Sequence, residues 1–176
     1  MIVFFAIICA YSFIVGKHES VKIIIATYIA IVAIQGLGNL VAQIAAYTES
    51  YTDMLNMGGN TNVLSILKLA GFVAVIIFLS IRGGFDMEYS KDLGSLVDSL
   101  LVGAFGFSTA GLLVVSLLTF VAGSPLLDPH LASAAALKPL LESSQLVQAM
   151  VEYQNLWFAL PAILLVVLGF VAHDEE

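Results

Sequence analysis

The chain has 176 residues, of which 60% are hydrophobic and 11% charged, with 6 Lys and Arg against 13 Asp and Glu. An ordinary soluble domain is about 25% charged, so this composition excludes a typical cytosolic enzyme and a disordered tail. The net charge of -7, without any basic cluster, excludes a nucleic-acid binder, which must set Lys and Arg against phosphate. Residues 1–176 therefore read as a single all-α integral membrane domain surrounded by the lipid bilayer.

The first apolar run extends from Met1 to Val15. A secretory signal carries basic residues before its apolar core and a small-residue cleavage site after it. Here the charge follows the run, in Gly16-Lys17-His18-Glu19, so a retained, short first transmembrane helix is expected. Its single cysteine, Cys9, reads as a small buried apolar residue. Further apolar segments cover Val21 to Ala46, Asn62 to Ile81, Leu96 to Ala122 and Leu156 to Ala172. Pro161 falls in the first turns of the last one, where a missing N–H has no helical partner to lose. The expected fold is a polytopic transmembrane helix bundle of about five spans, or four if the first segment does not cross.

Between the last two spans the pattern changes. Leu140, Leu141, Ser144, Val147 and Val151 recur at helical spacing, with Glu142, Ser143, Gln145, Gln148 and Glu152 opposite, which predicts one amphipathic helix. It reads either as an interfacial lid or as a partly buried connector, and its lack of basic residues favours the connector. Lys17, Lys22, Arg82 and Lys91 fall in two loops on one side, against Lys138 alone on the other. The positive-inside rule then places the N-terminus outside and the Asp174-Glu175-Glu176 tail in the cytoplasm.

Gln35, Asn39 and Gln43 are four residues apart and form one stripe on the second span, at a depth similar to Lys68 on the third. Amide oxygens of Asn39 or Gln43 are placed to accept from the Lys68 ammonium across the hairpin. The favoured reading is interhelical glue with a snorkelling lysine; the alternative is a solute or ion pathway. At the cytoplasmic edge Asp98 forms a candidate ion pair with Arg82, with Lys17 or Lys22 as alternative partners. Ser99, Gly103, Gly106, Ala110 and Gly111 give the fourth span a small-residue packing face, to be filled within the monomer or at an oligomer seam.

Catalytic chemistry is poorly supplied. Ser108, within Gly106-Phe107-Ser108-Thr109-Ala110-Gly111, lacks a base, because His18, His130 and His173 lie in loops or the tail. No metalloprotease, phosphate-loop or dinucleotide motif is present, so no catalytic, metal-binding or cofactor-binding residue and no cofactor is expected. His130 beside Asp128 reads as a solvated loop pair.

The run from Leu93 to Gly111, with Asp98, Gly103, Gly106 and Gly111 at matching positions, resembles the signature of the colicin V production protein (CvpA) family. Glu142-Ser143-Ser144-Gln145-Leu146 ahead of Pro161 is similar to that family's later segment, and Gly16-Lys17 to its first turn. Ser99 stands where the family commonly has arginine, and the first helix lacks its early acidic residue. The resemblance implies a small, non-enzymatic protein of the bacterial inner membrane, linked to toxin export and envelope maintenance. The expected role is structural or accessory, through helix packing with a membrane-protein partner or a second copy. The alternative is a small channel or transporter subunit with a path lined by Gln35, Asn39, Gln43 and Lys68.

Overall fold

The structure, a computed structural model, describes residues 2–47, 62–82 and 95–173, and all regular structure among them is helical. The helices are α1 (Ile2–Val15), α2 (Lys17–Tyr47), α3 (Asn62–Arg82), α4 (Ser95–Ala122), α5 (Lys138–Ser143), α6 (Gln145–Glu152) and α7 (Gln154–His173). Two 3-10 turns, Leu131–Ser133 and Ala135–Leu137, precede α5. Three helices, α2, α3 and α4, are long and apolar enough to cross a membrane; α6 and α7, bent by 71°, make a fourth if counted as one broken span. This set of helices fits a membrane protein. With 14 residues, α1 rises only about 21 Å, short of a hydrocarbon core of about 30 Å.

Helix α4 organises the rest. Phe13 of α1 lies against Gly103, Ser12 against Gly106, and the Phe5 ring is 5.5 Å from Phe107, so α1 runs antiparallel to α4 along its first half. The same face continues through Val114, Val115 and Leu118, where Leu131, Leu137, Val147, Met150 and Val151 cover it. One flank of α4 is thus sealed by two short pieces stacked end to end. Its other side joins α2, α3 and α7 through Ile24, Ile31, Ile34, Phe72, Phe105, Leu112, Phe120 and Leu168.

Turn chemistry sets where these helices stop. Gly16 takes φ +85°, a left-handed conformation open to glycine, and reverses the chain between α1 and α2. The Ser20 hydroxyl locks this hairpin, 3.0 Å from both the Ser12 hydroxyl and the Gly16 carbonyl. Gly123 ends α4 at φ +67°: its N–H reaches the Phe120 carbonyl, and that of Ser124 reaches Thr119, which satisfies two orphan acceptors.

Two expectations need correction. The single amphipathic helix is instead α5 and α6, divided at Ser144, whose extended backbone (φ -150°, ψ 112°) takes it out of the apolar stripe. Its hydroxyl instead caps α6 by accepting from the Val147 N–H, the usual use of serine at a helix start. Pro161 lies in the interior of α7, because the helix begins at Gln154 rather than Leu156. The proline ring loosens the carbonyls one turn before it, and the Tyr28 hydroxyl of α2 donates to one of them, that of Phe158.

Candidate functional site

The polar stripe of α2 and Lys68 of α3 meet where α4 ends. Gln35, Asn39, Lys68, Gly123, Ser124, Pro125 and Leu126 line a recess of about 510 Å³. Lys68, in the second turn of α3, is half-buried there because α2 presents bare backbone to it. A Cβ on Gly38 would lie 2.3 Å from Lys68 Cε and 3.0 Å from Nζ. The lysine stem therefore crosses α2 at a glycine, between Gln35 and Asn39.

Among the described residues, the Lys68 ammonium makes no hydrogen bond or ion pair. Lys68 donates to neither Asn39 nor Gln43; its stem rests against α2 at Gly38. Gln43 is exposed and does not line the recess. The helix end at Ala122 brings partial negative charge toward the ammonium, about half an elementary charge, which offsets it only in part. One turn further in along α3 and α4 the packing is apolar: the Phe72 and Phe120 rings lie tilted with centroids 4.8 Å apart, and Ile34 fills the gap at Gly71. The geometry is a polar cup over an apolar core.

The packing-face residues lie elsewhere on α4. A Cβ on Gly106 would lie 2.7 Å from Ser12 Cβ, and one on Gly103 would lie 3.3 Å from the Phe13 ring. One on Gly111 would lie 1.9 Å from the ring of Trp157. Ala110 is fully buried, while Ser99 is exposed. This chain's own α1 and α7 therefore occupy the small-residue face. Cys9 joins that contact, its Sγ 3.9 Å from the Gly106 carbonyl.

The side chains of Asp98 and His173 lie outside the described residues, and Arg82 is exposed at the end of α3. The hydroxyls of Ser108 and Thr109 are buried and both donate to the Phe105 carbonyl, at 3.0 and 2.6 Å. This back-bonding is how a hydroxyl is satisfied inside a helix. Asp128 accepts from the His130 backbone N–H at 2.9 Å, a local turn contact. Near the basic end of α2, Lys22 pairs with Glu19 at 2.9 Å.

Comparison of the chain with protein families, curated proteins and solved structures returns no match. Sequence reasoning missed Gly38, Ser124 and Tyr28 as positioning residues. A signal for Gly38 was present, since it sits inside the polar stripe, in Gln35-Gly36-Leu37-Gly38-Asn39.

Proposed function

We propose that this chain is a non-enzymatic, multi-pass accessory protein of the bacterial cytoplasmic membrane. It acts through helix contacts with a partner membrane protein or a second copy. The observation that carries this reading is how unevenly the apolar helices are used. The small-residue face of α4 is filled by α1 and α7, whereas α3 buries Phe72 and leaves Ile66, Leu67, Ile77, Phe78 and Ile81 exposed. A helix held along one edge, with its remaining surface in the bilayer, offers that surface to another helix through van der Waals packing. The commitment of Ser108 to its own helix backbone supports the non-enzymatic part.

The apolar packing one turn beyond Lys68 favours this reading over a channel or transporter subunit, because Phe72 and Phe120 pack together in the buried core there. Lys17, Lys22, Arg82 and Lys91 face the cytoplasm in this proposal, and the recess opens on the outer side. The run from Leu93 to Gly111 supports a relationship to the colicin V production protein family.

Photo-crosslinking from position 78 in native membranes tests the accessory role. The expected result is a discrete protein adduct, lost when Ile77 and Ile81 are changed to bulkier Trp. Adducts to lipid alone would reject the role. Solute flux through reconstituted vesicles, abolished by Lys68→Met, would reject it in favour of transport.

A further inference from the structure

The recess has the composition of an anion site. An ammonium group at membrane depth is costly without a counter-charge, and such groups are as a rule paired or hydrogen-bonded. Among the described residues, Lys68 has neither, and no acidic side chain lines its recess. Around it, Gln35 and Asn39 each offer an amide NH2 group and Ser124 a hydroxyl, and the α4 terminus adds only a partial negative charge against the full charge of Lys68. A cation with neutral donors, open on one side and apolar beneath, is complementary to the oxygens of a phosphate.

The position indicates where that phosphate comes from. Lys68 lies six residues past Asn62, about 9 Å along α3, and the recess opens at the terminus of α4. That is headgroup level rather than mid-bilayer. Flanking the cup are exposed apolar side chains, Leu37 (55%) and Leu40 (54%) on α2, with Ile66 (63%) and Leu67 (62%) on α3. An acyl chain can lie along either row while its headgroup enters the cup.

We propose that the recess formed by Gln35, Asn39, Lys68 and Ser124 holds the phosphate of an anionic phospholipid, with Lys68 as its counter-charge and Gly38 as the slot that positions the lysine. The site goes beyond the accessory role and does not rest on it, because crosslinking position 78 lies ten residues, about 15 Å, along α3 from Lys68. Lipid binding and partner contact can fail separately.

The test uses the full chain purified in an uncharged maltoside detergent. Short-chain phosphatidylglycerol, phosphatidylcholine and inorganic phosphate are titrated separately, with thermal midpoint as readout and Trp157 fluorescence to confirm folding. Phosphatidylglycerol should raise the midpoint of the wild type. Lys68→Met should weaken that effect about fivefold, Lys68→Arg should largely keep it, and Gly38→Val should weaken it with the charge intact. Lys138→Gln, at an exposed residue outside the recess, should match the wild type. Equal responses of the wild type and Lys68→Met would overturn the site, as would equal losses from Lys68→Met and Lys138→Gln. Stabilisation by inorganic phosphate at the lipid's own concentration would overturn the lipid assignment.

Discussion

Two regions of the bundle, the α4 face toward α1 and α7 and the α2–α3 seam at the recess, use glycine for opposite ends. On the sealed flank, Gly106 and Gly111 let Ser12 and the Trp157 ring come close enough to exclude everything else. At the recess, Gly38 admits a lysine whose charged end keeps no protein partner among the described residues. What enters the slot decides the outcome. A neutral side chain fills its space and satisfies its hydroxyl locally, as Ser12 does with Ser20. A charged one holds space open, because the ammonium keeps hydration or a ligand around it. One flank therefore holds the fold together, and the other is available for binding.

Substitutions on the two flanks should break this comparison in order of size. Gly111→Ala sets a methyl group 1.9 Å from a Trp157 ring that Phe5 and Phe107 hold from the other sides. It should cost about 3 kcal/mol, read from the unfolding midpoint in mixed micelles. Gly106→Ala meets Ser12 Cβ at 2.7 Å and should cost about 1–3 kcal/mol, with α1 becoming protease-sensitive before the other helices. If both variants unfold like the wild type, the sealed flank is not what holds α1 and α7.

Smaller effects sharpen the contrast. Tyr28→Phe removes the donor to the Phe158 carbonyl and should cost about 0.6–1 kcal/mol, with a change in amide exchange around Pro161. Gly38→Ala pushes against the flexible end of Lys68 rather than a ring, so its cost should stay below about 1 kcal/mol. Gly36→Ala, where a Cβ meets nothing within 4 Å, should be neutral or stabilising by up to about 1 kcal/mol. A large loss at Gly36 would show that backbone flexibility, rather than close approach, explains the glycines of α2.

Much of the local structure was legible beforehand. The expected fourth span, Leu96 to Ala122, differs from α4 by one residue, because a long apolar run stopped by glycine leaves few choices for a backbone that must satisfy itself. Helix α2 begins four residues earlier than expected, since Lys17 and Ser20 are drawn inside the Gly16 hairpin, both buried. The division of α5 from α6 was not legible, because Ser144 matches the apolar periodicity and departs from it only in backbone angle. Of the polar stripe, Gln35 and Asn39 line the recess with Lys68 and Gln43 does not, a difference that spacing along one helix cannot encode.

By itself, the sequence determined that these segments are helices, where most of them end, and that apolar side chains cover them. Those properties follow from composition and from hydrogen bonds made within a few residues. Only the tertiary structure decided that α1 covers half of α4, that the small-residue face is occupied from within the chain, and that Gly38 seats Lys68. Each of these depends on how closely two backbones approach, and that distance is set by every side chain between them rather than by either segment alone.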